Sequence, residues 1–309
     1  MNYLIVTPDG VGSTFLQRAM TLLLVLDGRD VVNTHEITNG LIVENGKILR
    51  PSKTNYEQNA HEIINILKNY SSPYMVSRLA KYHLDNRNDQ EFSVKILDFI
   101  REYYGNIVLC KRKNIFEYAL SWGLRQNSGH LNVFSLKQKK EVRKKSNIDI
   151  VFFKKKLVDY KNYIAWADDL FPKAKSIYYE DLVDNPEKII NDLDIHTHSF
   201  EKHFGFTLRN YIHLEYDLHE QHINKTRNID NMINDIRKIA KVKSYLNNLV
   251  KNKIMPAGTM PIKNTSLALK KQIVLNYDQC AKSYQEFCRN NNWADRTIME
   301  FDFWGGKFI

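Results

Sequence analysis

Four groups of residues in this sequence have types and spacings that can do chemistry. The first is Gly10-Val11-Gly12-Ser13-Thr14-Phe15 with Arg18, inside the segment Met1 to Arg18. The apolar run Tyr3-Leu4-Ile5-Val6 precedes it and an apolar helical pattern follows through Leu26. The segment therefore reads as strand, loop and helix, with Ser13 or Thr14 as the helix cap. A glycine loop opening a helix offers free N–H groups and a positive dipole end to an anion, so it is either a phosphate cradle or an ordinary tight turn. The second group is Arg112 and Lys113, with Ser121 on the helical pattern that follows. The third is Arg78, a cation at the end of an apolar run. The fourth is His35, Glu36 and His83, which lie just beyond strand-like segments; histidine and carboxylate are the side chains suited to moving a proton. Each histidine also has an ordinary reading as a surface or core residue.

These groups need a sheet to bring them together. Tyr74-Met75-Val76-Ser77-Arg78, Ile107-Val108-Leu109-Cys110 and Ala174-Lys175-Ser176-Ile177-Tyr178-Tyr179 read as further strands after the first. Helical patterns fill Asn55 to Tyr70, Phe92 to Tyr104, Ile115 to Arg125 and Val151 to Phe171. This alternation predicts an α/β protein with a central, mostly parallel sheet, right-handed crossovers and helices on both faces. In such sheets ligands sit beyond the carboxyl ends of the strands, the edge to which the first loop and the Arg112 cluster are both delivered. Asp30 to Gly40 reads as a loop or short strand, and Leu41-Ile42-Val43 with Ile48-Leu49 as a hairpin around Asn45-Gly46. An acidic turn, Glu180 to Glu187, leads into a helix with Pro186 in its first turn. Beyond Phe200 the expected helices are Ile229 to Asn252 and Ser266 to Asn290, with a loop at Met255 to Pro261 and an aromatic tail, Phe301 to Ile309, packed on the body. The stretch Gln126 to Asn147, with Lys137, Lys139, Lys140, Arg143, Lys144 and Lys145, is either an excursion over the site or a solvated charge run. No repeat or linker divides the chain, so a single domain spans 1–309, with its core up to residue 190 or so and a helical part beyond 200.

At 309 residues the chain can bury a large core, and 43% hydrophobic with 26% charged residues is an ordinary globular composition. No stretch has the roughly 20 apolar residues of a membrane span, and Met1-Asn2 lacks the basic start of a secretory signal. Cys110, Cys280 and Cys288 form no Cys-x-x-Cys pair and no zinc-type cluster, so reduced thiols, a cytoplasmic setting and no metal are expected. A net charge of +10 implies either an anionic partner or a solvated basic face.

Three segments together resemble the family of sulfotransferases that use 3′-phosphoadenosine-5′-phosphosulfate (PAPS). Gly12-Ser13-Thr14-Phe15-Leu16 is similar to that family's 5′-phosphosulfate loop. Arg112-Lys113-Asn114 through Leu120-Ser121 is similar to its 3′-phosphate motif, and Ser176-Ile177-Tyr178-Tyr179-Glu180-Asp181-Leu182-Val183 with Pro186-Glu187 to its later strand end. The resemblance covers residues 1 to about 190 in matching order; Pro261 to Cys288 is like the late loop and helix of some bacterial and phage-type members. It implies a P-loop-like three-layer fold, PAPS as sulfuryl donor, and a bacterial or phage-infected host cell. The acceptor would be a hydroxyl or amine on a glycan, a lipid or a small alcohol. Gly10 to Phe15 with Arg18 would hold the 5′ side of the donor and Arg112, Lys113 and Ser121 the 3′-phosphate. Many members carry a lysine just before the loop glycine, whereas this chain has Asp9-Gly10-Val11, so Arg78 or Arg18 would supply the charge beside the leaving oxygen. In Golgi-type members the second strand's end holds a glutamate–lysine pair followed by a tyrosine, matched here by Ser77-Arg78 with Tyr82, which leaves His35 with Glu36, or His83, as candidate bases. Two other readings compete with it. A P-loop kinase needs Gly-Lys before Ser/Thr, which this loop lacks. A nucleic-acid-binding protein without activity has only the net charge in its favour.

Overall fold

A computed structural model of the chain describes residues 1–8, 10–44, 47–49, 55–70, 73–129, 141–221, 229–255 and 267–293. Strand β1 (Asn2–Thr7) is buried on both faces. Tyr3 and Ile5 enter one core, and Leu4 and Val6 enter the other. A strand with no solvated face belongs in a sheet covered on both sides, which favours parallel pairing with crossover helices. The sheet has five strands, all parallel: β2 (Val31–Glu36), β5 (Tyr74–Ala80), β1, β6 (Asn106–Lys111) and β7 (Lys175–Tyr178), in that spatial order. β3 (Ile42–Glu44) and β4 (Lys47–Leu49) form a separate antiparallel hairpin. Its expected turn, Asn45-Gly46, lies outside the described residues.

The chain leaves β1 for the far edge at β2, returns to β5, then crosses β1 to reach β6. The order reverses at β1, so the loops after β1 and β6 diverge and leave a crevice at the carboxyl edge. Helix α1 (Ser13–Leu26) fills one face after β1; α2 (Ala60–Asn69) and α4 (Gln90–Tyr103) fill the other, with short α3 (Lys81–Arg87) between β5 and α4. Helix α5 (Ile115–Ser128) follows β6, and α6 (Ile150–Leu170) crosses over the sheet's carboxyl edge. The Tyr163 hydroxyl of α6 lies 3.0 Å from the Val6 carbonyl and 3.1 Å from that of Cys110, a bridge over the ends of β1 and β6. The C-terminal part is helical: α7 (Tyr179–Asp184), α8 (Pro186–Asn191), α9 (His198–Phe204), α10 (Leu208–Gln221), α11 (Ile229–Lys251), α12 (Leu267–Ile273) and α13 (Tyr277–Asn291). It shares one apolar core with α1 and α5.

Several expectations need correction. Neither Ser13 nor Thr14 caps α1: both are inside it, and Gly12 takes the cap position in a left-handed conformation (φ 79°). Asp30 to Gly40 holds a true sheet strand, β2, followed by a short 3-10 turn, Ile37–Asn39. α2 starts only at Ala60, where the Asn59 side chain accepts the Glu62 amide and sets the boundary. The acidic turn after β7 is a helical turn, α7. Ser266 to Asn290 is two helices, because Leu275 N donates to Ser146 O at 3.0 Å and draws the chain out of helical register. Among the described residues no helix is long and apolar enough to cross a membrane. Residues 130–140, 256–266 and 294–309 lie outside them, and with these Lys137, Lys139 and Lys140 of the lysine run, most of the expected loop at Met255 to Pro261 and the expected aromatic tail.

Candidate functional site

The crevice between the ends of β1 and β6 gathers the first two residue groups. Gly12, as the N-cap of α1, offers no side-chain acceptor to the N–H groups of the first helical turn. A Cβ at this position would stand 2.3 Å from the ring of Tyr179, so the loop passes directly over that tyrosine. Gly10 (φ 71°) packs on α5. A Cβ there would meet Trp122 Nε1 at 3.0 Å and Arg125 Nη1 at 3.5 Å. Trp122 Nε1 is buried and has no hydrogen-bond partner among the described residues. Val11 and Phe15 point into the core below the loop.

On the β5 side a chain of charges reaches the same loop. β2 and β5 pair in a register that sets Glu36 opposite Arg78. The Glu36 side chain is fully buried and accepts from three donors: Arg78 Nε at 3.0 Å, Ala80 N at 2.9 Å and the Thr38 hydroxyl at 3.0 Å. Burial raises its pKa, and the positive Arg78 works against that rise. Arg78 then points Nη1 at the Thr14 hydroxyl, 2.6 Å away. Arg18, one turn into α1, is also buried. Burial first, and then the charge of Arg78, lower its pKa to about 10, so it remains charged at neutral pH. Two guanidiniums, Arg78 and Arg18, are therefore confined near the start of α1, with Glu36 engaged by one of them.

At the end of β6 the picture is more balanced. Arg112 lies over the Tyr179 ring, 4.5 Å from its centroid, with Nε 3.0 Å from Glu180 and Nη2 3.4 Å from Glu117. Its backbone is clamped by the Tyr160 hydroxyl, which accepts from Arg112 N and donates to Arg112 O. Burial lowers the Arg112 pKa, but Glu180 and Glu117 outweigh that and leave it raised. Lys113 pairs with Asp181, and its amide donates to Glu180 at 3.0 Å. Ser121 is half-buried and donates to the Glu117 carbonyl at 2.9 Å. A cavity of about 330 Å³ opens beside this cluster, walled by Lys111, Lys113, Tyr178 and Trp293.

The two histidines sit on different elements, His35 on β2 and His83 on α3. His35 sits at a bulge in β2 with a left-handed backbone (φ 59°); its amide donates to Asn33 Oδ1 and its carbonyl accepts from Gln17. A non-glycine residue held there stores about 1–3 kcal/mol of strain, a feature that clusters at functional sites. His83, in the first turn of α3, stacks on Tyr82 at 3.8 Å, and its Nδ1 lies 2.9 Å from the Tyr56 hydroxyl. The first loop and Arg78 thus meet in contact, Arg18 is electrostatically coupled to Arg78, and Arg112 and Lys113 form a separate cluster joined to the loop through Tyr179, while Ser121 bonds to the carbonyl of Glu117 on its own helix. Sequence reasoning missed Trp122, Arg125 and Tyr179 as members of this edge. Arg125 had a readable signal, since it follows Ser121 by four residues on one helix face; the Gly12–Tyr179 contact had none. Cys110, Cys280 and Cys288 are buried and unbridged, and burial pushes the Cys110 thiol up to about 12, which makes it inert at neutral pH.

No protein-family model matches the chain, and a search of curated proteins finds no match.

Proposed function

We propose that the protein is a sulfotransferase that moves a sulfuryl group from PAPS to a hydroxyl or amine acceptor, on a P-loop-like sheet with β1 at its centre. The observation that carries this reading is the buried relay Glu36–Arg78–Thr14 at the glycine-capped start of α1, with Arg18 beside it. A helix N-terminus with two confined guanidiniums has the charge and the N–H donors for an anion. Trp122 Nε1 adds a buried donor next to Gly10. The residues fit a donor with two phosphate groups. Gly12, Ser13 and Thr14 would hold the 5′-phosphosulfate. Arg112 and Lys113 would hold the 3′-phosphate through N–H groups beyond those that face Glu180, Glu117 and Asp181, and Ser121 would turn its one O–H from the Glu117 carbonyl to the phosphate.

In this reading the chain contributes positioning and electrostatics, as enzymes of group transfer between oxygens do. Arg78, held by a buried carboxylate, would stabilise the charge that develops on the bridging oxygen. It thereby takes the place of the absent loop lysine. Glu36, whose oxygens are occupied by three donors, positions Arg78. His35, on β2, and His83, in the first turn of α3 after β5, would be the groups to take the acceptor's proton. The acceptor itself, glycan, lipid or small alcohol, is found by screening with sulfur-labelled PAPS. The expected result is label transferred to at least one class of hydroxyl or amine acceptor and absent with an Arg78→Met variant. Transfer of phosphate from labelled ATP, with none from PAPS, would favour a kinase and overturn the proposal.

A further inference from the structure

The buried charge cluster beneath the second basic group contains a cation from far along the chain. Lys270 of α12 is 1% exposed, and its Nζ donates to Glu117 Oε1 at 2.8 Å. The other oxygen of Glu117 lies 3.4 Å from Arg112 Nη2, a longer contact than the 3.0 Å between Arg112 Nε and Glu180. Glu117 is therefore shared between two cations and leans toward Lys270. Glu180 is drawn in two directions as well, since its Oε2 accepts from Lys113 N. Among the described residues of this buried group Arg112 and Lys270 balance Glu117 and Glu180. Removing Lys270 would take one of these two cations from the two carboxylates.

A buried ion pair seldom adds net stability over an apolar pair of the same volume, so its presence here calls for another reason. α12 is docked for the purpose: Ser146 N donates to Ile273 O at 2.9 Å, and Leu275 N to Ser146 O at 3.0 Å. Glu117 is fixed in turn, because its amide donates to Asn114 Oδ1 at 2.8 Å in the first turn of α5. We infer that Lys270 is a positioning residue for the second anion site. By neutralising Glu117 it leaves Arg112 with N–H groups and charge to spare for a phosphate at the end of β6. This inference rests on the proposed donor, and names which remote residue sets the grip on its 3′-phosphate.

The test compares two ligands by calorimetry: 3′-phosphoadenosine 5′-phosphate, and adenosine 5′-phosphate, which lacks the 3′-phosphate. Wild type is expected to prefer the bisphosphate. In Lys270→Met that preference should fall by roughly tenfold or more, the scale of one charged hydrogen bond, while affinity for the monophosphate stays the same. The double variant Lys270→Met with Glu117→Gln should regain the preference, because the competing carboxylate is gone. A role in stability alone predicts a lower melting temperature of Lys270→Met with an unchanged preference, and that result overturns the inference while leaving the donor assignment intact. If Lys270→Met does not fold, Glu117→Gln decides: a preference above wild type supports the inference, and an unchanged one overturns it. A wild type that binds both ligands equally, or neither, overturns the inference together with the assignment of the second phosphate site.

Discussion

Arg78→Ala is expected to cost about 3–5 kcal/mol of folding stability, the range for breaking a buried ion pair and leaving one charge behind. Glu36 is the charge left behind: its side chain is fully buried, and among the described residues Ala80 N and the Thr38 hydroxyl would be the donors left to it. The same change removes the donor that reaches Thr14, so affinity for a 5′-phosphosulfate or 5′-phosphate should drop by roughly tenfold to a hundredfold. The two effects separate in the double variant Arg78→Met with Glu36→Leu. Replacing both partners by apolar groups of similar volume is often neutral, so stability should largely return while anion affinity and turnover do not. Denaturant unfolding of the three proteins measures the first effect and calorimetry the second. A single variant that loses less than about 1 kcal/mol would mean that the pair is solvated, against the burial described.

Gly12→Ala should be nearly as damaging, by about 2–5 kcal/mol, for two reasons that can be told apart. A non-glycine residue at φ 79° carries strain of about 1–2 kcal/mol. The new Cβ would also stand 2.3 Å and 2.7 Å from ring atoms of Tyr179, and forced overpacking costs about 1–3 kcal/mol. Tyr179 cannot swing away cheaply, because the Arg112 guanidinium lies against its ring and burial surrounds it. Gly28 provides the control: its φ is 73°, and a Cβ there meets nothing within 4 Å. Gly28→Ala should show the strain alone. The excess cost at Gly12 should shrink in a Tyr179→Leu background, and equal costs at the two glycines would show that the loop does not lie on Tyr179.

Much of the scaffold was legible because buried strands announce themselves. Tyr3 to Val6, Tyr74 to Arg78 and Ile107 to Cys110 are apolar on both faces, and only a covered parallel sheet accepts such runs. The delivery of Gly12 and Arg112 to one edge followed from that topology. Short elements were less legible. α3 and α7 each have too few residues to display a helical period, and α12 parts from α13 through one backbone bond to Ser146, which no local pattern encodes. The electrostatic wiring was the least legible part. Nothing near Glu117 foretells a partner 153 residues away in Lys270, and nothing near Arg78 says that its carboxylate comes from β2. Glu36 stood in the sequence as a candidate base; the register of β2 on β5 makes it the anchor of an arginine.

A two-phosphate clamp at the ends of β1 and β6 would show itself in titration calorimetry of the wild-type protein with 3′-phosphoadenosine 5′-phosphate. Saturable binding of one ligand per chain is expected, tighter than that of adenosine 5′-phosphate and of ATP. No heat and no thermal shift with the bisphosphate, alongside binding of ATP or DNA, would contradict it.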